Sequence, residues 1–154
     1  MKPRNWTAKD VMKRKVLSVS PDIFVRELAG ILDDRGISGA PVIDGNGTLL
    51  GVVSKSDLVH FQREGEHDHD RFAYFKQEQV LPAGYHVEIP DRTRVREIMT
   101  PSIIQAGERT PVALLARMMR RKHIHRIFIT RDQKLRGGVT TMDLLKIIEA
   151  AAER

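Results

Sequence analysis

Residues 51–57 read GVVSKSD, and residues 137–143 read GGVTTMD, 86 positions further along the chain. Each copy runs from a glycine through mostly apolar residues to a hydroxyl residue, with an aspartate three positions after the hydroxyl. The pairs Ser54–Asp57 and Thr140–Asp143 are close to the capping box that begins a helix, although glutamate or glutamine is its usual acid. The same pairs could also present a hydroxyl and a carboxylate to a ligand. A single copy favours the helix-cap interpretation. The choice between a cap and a ligand site therefore depends on why the motif occurs twice.

The two motifs belong to a longer internal repeat. Residues 8–59 align with residues 95–145 at an offset of 87, which falls to 86 because DGNGTL is one residue longer than RDQKL. A deletion within a turn is where a repeat tolerates one. A unit of about 50 residues has too little core to stand alone. We therefore expect two units that pack together, repeat 1 over residues 1–61 and repeat 2 over residues 95–154, joined by an insert over residues 62–94.

Each repeat reads as β-α-β-β-α, entered through a short helix. A short apolar stretch predicts the first strand, at residues 16–19 and 103–104. Apolar residues at helical spacing follow, and Thr110 with Pro111 predicts the N-cap and first turn of that helix in repeat 2. DGNG at residues 44–47 predicts a hairpin between two strands. Strands that alternate with helices indicate an α/β protein.

The composition of the 154 residues excludes several classes of site. There is no cysteine, which rules out disulfides, thiol nucleophiles and cysteine-ligated metals. No apolar run approaches the roughly 20 residues that span a bilayer, and the first residues lack the apolar segment of a secretory signal. We expect a cytoplasmic protein with no membrane segment. No Ser-His-Asp order, glycine-rich phosphate loop or carboxylate pair indicates catalysis, so we expect no enzymatic activity.

The net charge of +6 is unevenly distributed along the chain. Residues 95–154 carry 12 lysines and arginines against 6 acidic residues, which accounts for the whole net excess. A concentrated positive field favours anionic partners such as phosphates, nucleic acid or an acidic protein face. A solvated basic helix face is the alternative for most of these side chains.

These residues resemble the tandem CBS-domain pair, also called a Bateman module. The resemblance rests on the methionine near the first strand of each repeat, on ISGAPVID at residues 37–44, and on the paired GVVSKSD and GGVTTMD. Phe128 stands where the family usually has a proline, and the insert is left unexplained. The resemblance implies an α/β (α+β) fold in which two β-α-β-β-α repeats pack with pseudo-twofold symmetry through two small three-stranded sheets.

The same resemblance implies a function. Members of this family have no catalytic activity of their own, bind adenosyl compounds in clefts between the repeats, and commonly form dimers. We therefore expect a regulatory module that senses AMP, ADP or ATP, requires no cofactor and forms a homodimer. Its protein target is not identified by the sequence.

The resemblance also assigns a role to the two motifs. It implies that Ser54 with Asp57 holds one ribose and that Thr140 with Asp143 holds another, since a carboxylate can accept both hydroxyls of a ribose diol. The base is expected to lie against the opposite repeat. The implied base pockets are Met12, Leu17, Ile37, Ser38 and Gly39 for the second motif, and Met99, Ile104, Ile124 and His125 for the first.

A phosphate site is implied in repeat 2 only. His125 and Arg126 fall where family members that bind AMP place a His-Arg pair, and arginine suits phosphate through its planar fork of donors. Repeat 1 has the uncharged Ser38 and Gly39 at the aligned positions. The two ligand sites are therefore expected to be unequal.

Other interpretations stay open. The sequence HDHD at residues 67–70 carries metal-ligating side chains, but nothing fixes their geometry in a charged segment, and we expect no metal site. A structural or interaction module is one alternative. Its clefts would hold no ligand, and the insert would mediate assembly. Binding of nucleic acid through phosphate contacts of the basic second repeat is the least favoured function.

Overall fold

The structure is a computed structural model of the chain and describes residues 5–65 and 92–152. Each repeat begins with a short lead-in helix. Repeat 1 consists of α1 (Ala8–Val11), α2 (Val25–Asp34), β1 (Gly39–Ile43), β2 (Leu49–Ser54) and α3 (Lys55–Gly65). Repeat 2 consists of α4 (Val95–Ile98), β3 (Gln105–Gly107), α5 (Val112–Lys122), β4 (Arg126–Arg131), β5 (Lys134–Thr140) and α6 (Thr141–Ala152). The predicted mixture of helices and strands is confirmed.

The two sheets differ in their number of strands. In repeat 2, β3 runs parallel to β4, and β4 pairs antiparallel with β5. In repeat 1, β1 and β2 form an antiparallel pair, and the expected third strand is reduced to Val19, which bridges Val42 in the parallel sense. Two backbone hydrogen bonds of 3.0 Å hold Val19 to this edge. Pro21 follows two residues later and has no N–H with which to extend the ladder.

The first strand of repeat 2 begins later than the sequence predicts. The apolar pair Ile103–Ile104 is expected to lie within it, whereas the strand occupies Gln105–Gly107. Both isoleucines instead line a cleft between the repeats. Ile104 also packs against the core of repeat 2, so the apolar pair belongs to a cleft wall and a core edge without being part of the strand.

The lead-in helices are exchanged between the repeats. Thr7, which precedes α1, forms a β-bridge with Pro111 of repeat 2, and Arg94, which precedes α4, forms one with Phe24 of repeat 1. The two bridges are related by the 87-residue offset of the alignment. The exchange therefore follows the pseudo-twofold symmetry.

This exchange builds two hydrophobic cores, and each contains residues of both repeats. In the core of repeat 2, lead-in residues of repeat 1 pack with helix and strand residues: Ala8 and Met12 with Leu115, Met119, Ile127, Ile129 and Val139. In the core of repeat 1, Val95 packs with Val19, Leu28, Leu32, Ala40, Val42 and Val53. Burying each large aliphatic side chain stabilises the fold by about 1.5–3 kcal/mol. Neither core is complete without the other repeat's lead-in helix.

The helix ends follow local signals with one difference from expectation. Gly36 lies just after α2 at φ +60°, the left-handed conformation that favours glycine at a helix C-terminus. The aligned residue after α5 is His123, which adopts φ 52°. At the other end of α5, Pro111 is the N-cap and the helix begins at Val112, so the proline precedes the first turn in which the sequence places it.

The first hairpin forms as DGNG predicts. The Asp44 carboxylate accepts hydrogen bonds from the N–H groups of Asn46 (2.8 Å) and Thr48 (2.9 Å). Gly47 adopts φ +82°, which a residue with a Cβ rarely does. These bonds close the turn between β1 and β2.

Two features of the sequence lie outside the described residues: the HDHD segment at residues 67–70 and the aromatic residues of the insert, Phe72, Tyr74, Phe75 and Tyr85. Within residues 5–65 and 92–152, no helix is long and apolar enough to cross a membrane.

Candidate functional site

The motif GVVSKSD places Ser54 at the end of β2 and Asp57 in the first turn of α3. The N–H and the hydroxyl of Ser54 both donate to Oδ2 of Asp57, at 2.7 and 3.0 Å. The Asp57 N–H lies 3.4 Å from the Ser54 hydroxyl oxygen in return. This is a reciprocal capping box built with aspartate, so the sequence pattern does start the helix.

The second motif has the same geometry. The N–H and the hydroxyl of Thr140 donate to Oδ2 of Asp143 at 2.9 and 2.8 Å. Asp143 is 6% exposed, and Lys13 from repeat 1 places its ammonium 3.6 Å from the other carboxylate oxygen, Oδ1. Burial raises the pKa of Asp143, but the hydrogen bonds from Thr140 and the charges of Lys13 and Lys146 outweigh it, so that the pKa lies below its usual range.

The capping bonds use only one oxygen of each aspartate. In both motifs the capping bonds go to Oδ2, and Oδ1 takes no part in the cap. A carboxylate oxygen has two lone pairs and accepts hydroxyl donors readily. The capping and ligand-binding interpretations of the motif are therefore compatible in the same residues.

The glycine that opens each motif has a structural reason. A Cβ at Gly137 would lie 2.6 Å from the Lys13 carbonyl oxygen, and a Cβ at Gly51 would lie 2.8 Å from the Thr100 carbonyl oxygen. Real Cβ atoms essentially never come so close to another atom. The glycines let the chain that follows each lead-in helix cross directly over the motif of the other repeat.

Backbone hydrogen bonds hold this crossing in place next to each glycine. Lys13 exchanges two bonds with Gly138, at 2.9 and 3.0 Å, and Thr100 exchanges two with Val52, at 2.9 and 3.0 Å. The crossing is a site feature that the sequence reasoning missed. The signal was present, because both motifs begin with glycine and both lead-in segments align.

A cleft of about 390 Å³ lies between the repeats beside the first motif, within the usual range for small-molecule sites. Its lining residues come from both repeats. The lining residues are Ser38, Gly39, Val52, Ser54, Ser102, Ile103, Ile104, Ile124, His125, Arg126 and Phe128. We refer to it as the first cleft.

The first cleft brings together several residues that the resemblance singles out. Ser54 lines it with Ile104 and Ile124 of repeat 2, the combination implied for the first motif. Ser38 and Gly39 are implied for the second motif, yet they line the first cleft. The reason is strand pairing, because Gly39 is the register partner of Ser54 in the β1–β2 ladder.

The other residues of the implied base pockets lie elsewhere. Met12 is buried in the core of repeat 2, and Met99 and Ile37 pack against the core of repeat 1. Leu17 is 39% exposed. The two methionines also flank the glycine crossings, where their sulfur atoms would meet a Cβ at Gly137 or Gly51.

His125 and Arg126 line the first cleft from repeat 2, and both are exposed. Arg126 is also the register partner of Thr140 in the β4–β5 ladder, and the His125 carbonyl accepts the N–H of Thr141 at 3.1 Å. The implied phosphate residues therefore lie between the two motifs. An arginine here offers a fork of hydrogen-bond donors to an anion.

Four lining residues were not anticipated as site residues. Ser102 and Ile103 precede β3, Val52 lies in the first motif, and Phe128 lies in β4. Phe128 aligns with Pro41 of repeat 1, and this departure from the family pattern is the signal that could have identified it. Phe128 is 5% exposed, so it contributes apolar atoms to the buried side of the cleft.

No group of three or more histidine, aspartate or glutamate side chains in the described parts of the chain could hold a metal ion.

Comparison with protein-family models matches the CBS domain at residues 8–64 and again at residues 95–150. Among curated proteins, the chain is 27% identical over 151 residues to an uncharacterised protein of Methanocaldococcus jannaschii, covering 91% of this chain and 89% of that protein. It spans 31% and 38% of the length of two other curated relatives.

Solved structures of CBS domains have the same fold. CBSX2 in complex with AMP superposes with a TM-score of 0.71 at 24% identity, covering 97% of this chain and 99% of that chain. The CBS domain pair of protein MJ0100, in complex with 5′-methylthioadenosine and S-adenosyl-L-methionine, superposes with a TM-score of 0.66 at 21% identity, covering 95% and 98%. At these identities the likeness establishes the fold.

Proposed function

The chain belongs to the CBS-domain family, and from that premise we propose that it is a regulatory module that binds an adenine nucleotide between its two repeats. The observation that carries the proposal is the composition of the first cleft. One wall supplies the Ser54 hydroxyl, and the other supplies isoleucines and the His125–Arg126 pair. These are the chemistries that a ribose, an aromatic base and a phosphate each require.

Each part of a nucleotide has a partner in this arrangement. The ribose diol would donate to Asp57, whose Oδ1 takes no part in the cap. The flat base would lie against Ile104 and Ile124, burying apolar area at about 25 cal/mol per Å². The phosphate would accept hydrogen bonds from Arg126. Solved relatives support the ligand class, since CBSX2 was determined with AMP and the cytosolic domain of the Mg²⁺ channel MgtE with ATP.

Regulation follows from where the ligand would lie. The walls of the first cleft come from both repeats, so a bound nucleotide contacts both and favours the arrangement in which they are correctly spaced. A ligand shifts an equilibrium only by its difference in affinity for the two states. The proposed module needs no catalytic group and no cofactor, and it acts on a separate target.

Isothermal titration calorimetry with AMP, ADP and ATP tests the proposal. Asp57→Asn keeps an oxygen for the capping bonds and replaces the other with an amide, so the helix start is retained. Removing a charge-assisted bond to the ribose costs about 1.5–3 kcal/mol, and affinity should fall roughly 10- to 100-fold. Asp132→Asn, the same change at an exposed position in the turn between β4 and β5, is the matched control and should bind like the unaltered chain.

Two outcomes would count against the proposal. If none of the three nucleotides binds at millimolar concentration, the chain is not an adenine-nucleotide sensor. If a nucleotide binds equally well after Asp57→Asn and Asp143→Asn are combined, the ligand lies outside the two motifs.

We also propose that the chain forms a homodimer in which the helices of repeat 2 of one copy face the helices of repeat 1 of the other, and repeat 2 contributes the apolar part of the surface. Their apolar face, formed by Leu114, Met142, Leu145 and Ile148, is 43–63% exposed. Two of the aligned residues of repeat 1 are polar, Glu27 for Leu114 and Ser56 for Met142. Several exposed large apolar side chains on the helices of one repeat are typical of an interaction surface.

Charge complementarity favours a second copy as the partner, with repeat 1 of one copy facing repeat 2 of the other. Asp33 and Asp34 near the end of α2 align with Arg120 and Arg121 of α5, and all four are exposed. Opposite charges at equivalent positions attract when unlike repeats meet, whereas like repeats would place similar charges together.

Light scattering after size exclusion measures this association. Asp33→Arg with Asp34→Arg should weaken the dimer, and adding Arg120→Asp with Arg121→Asp should restore it. A dimer unaffected by the first pair, or a monomer at all concentrations of the unaltered chain, would contradict the arrangement.

A further inference from the structure

An ion pair joins Lys13 to Asp143 in the second motif. The ammonium of Lys13 lies 3.6 Å from Oδ1, while Oδ2 receives the two capping bonds from Thr140. Both carboxylate oxygens are therefore engaged. A ribose hydroxyl that approached Oδ1 would have to displace the ammonium.

The backbone fixes where Lys13 begins. Its N–H and C=O bond to Gly138 at 2.9 and 3.0 Å, directly inside the second motif. Thr100 makes the same two bonds to Val52 of the first motif. Thr100 is therefore the structural counterpart of Lys13, and it carries no charge. A comparison of the two positions within one chain therefore tests the effect of the lysine charge.

A second cation flanks the same motif. Arg126 is the register partner of Thr140, whereas Gly39 is the register partner of Ser54. Arg126 also lines the first cleft, so of these two cations only Lys13 distinguishes the second motif from the first. The side chain of Lys13 is 65% exposed, so its ammonium is free to move from the carboxylate to a nearby anion.

We propose that Lys13 is a specificity-determining residue, which makes the site at Thr140 and Asp143 select adenosyl ligands that carry a phosphate next to the ribose. This rests on the proposed function. An uncharged nucleoside displaces the ammonium from Asp143 and leaves it without a partner, whereas a nucleoside phosphate pairs with it again. The site at Ser54 and Asp57, with Thr100 in place of the lysine, receives no such bias from this position.

The experiment compares AMP with adenosine in calorimetric titrations. The starting chain carries Asp57→Asn to weaken the first site, and the amide NMR signals of Gly138 and Val52 assign each binding event to its motif. Adding Lys13→Thr should weaken AMP binding about fivefold, the value of an exposed charge pair near 1 kcal/mol, and should leave adenosine unchanged or tighter. The preference for AMP over adenosine then falls by at least this factor.

The reciprocal variant distinguishes a change in ligand preference from a loss of folding. Thr100→Lys in a chain that carries Asp143→Asn should raise the preference of the first site for AMP by a similar factor. Inorganic phosphate is titrated in parallel, and its binding should not depend on adenosine. The inference is overturned if the preference is unchanged by Lys13→Thr and by Thr100→Lys, or if phosphate alone reproduces the binding of AMP. If neither AMP nor adenosine binds the unaltered chain, the proposed function fails as well.

Discussion

Replacing Gly137 with alanine tests the exchange of the lead-in helices. The added methyl group would lie 2.6 Å from the Lys13 carbonyl oxygen and 3.0 Å from the sulfur of Met12. The sulfur can move, but the carbonyl is held by its hydrogen bond from Gly138, so the crossing segment must shift. Overpacking of this kind costs about 1–3 kcal/mol. At about 2–4 °C per kcal/mol for a domain of this size, Tm should fall by about 2–12 °C.

Two further variants make the measurement decisive. Gly51→Ala is the counterpart in repeat 1, with a clash of 2.8 Å against the Thr100 carbonyl, and it should lower Tm by a similar amount. Gly30→Ala lies in α2 with no atom within 4 Å of the new methyl, and it should stabilise by about 0.5–1 kcal/mol. All three are compared by differential scanning calorimetry. If Gly137→Ala matched Gly30→Ala, the chain after α1 would not cross the second motif.

Three other changes address the core, the buried carboxylate and the hairpin. Leu115→Ala removes a fully buried side chain and should cost about 2–5 kcal/mol in urea unfolding; a loss below 1 kcal/mol would mean that this core is loosely packed. Because the folded pKa of Asp143 is lowered, its contribution to stability is present above about pH 3.9 and is lost as pH falls through the folded pKa. Unfolding curves of the unaltered chain and Asp143→Asn should therefore differ most near neutral pH and converge in acid; a constant difference would contradict this. Asp44→Ala removes the acceptor of two backbone N–H groups and should lower the free energy of unfolding by about 1–2 kcal/mol. Thermal unfolding would detect this loss, and an unchanged Tm would show that these bonds do not contribute to stability.

The order of helices and strands could be predicted because its signals are local. The cap at Ser54, the DGNG turn and the apolar periodicity of α2 each act within a few residues, and the alignment carried the prediction from one repeat to the other. The prediction of a strand at residues 103–104 was wrong because an apolar pair of residues gives the same sequence signal in a sheet and in a cleft wall. Strand position depends on pairing with β4, which no local pattern contains.

Part of the lining of the first cleft matches a grouping that the sequence implied, and the ligand roles of these residues stay predictions. The resemblance implied Ser54 together with Ile104 and Ile124, and the three line one cleft. Ser38 and Gly39 were assigned to the other motif because repeat symmetry alone does not say which strands are neighbours. Register does, since Gly39 pairs with Ser54. The contact between Lys13 and Asp143 could not be predicted from the sequence for a similar reason, because it depends on the crossing of the lead-in segment.

The crossing also connects stability with the proposed ligand binding. The segment that follows each lead-in helix completes the core of the opposite repeat and lies against the opposite motif, so any ligand held by that motif also rests on this segment. A ligand present at 100 times its Kd adds about 2.7 kcal/mol to the folded state. This is comparable to the cost of about 1–3 kcal/mol for a methyl group at the crossing. The proposed ligand at this concentration would therefore offset the stability that one such methyl group removes from the crossing.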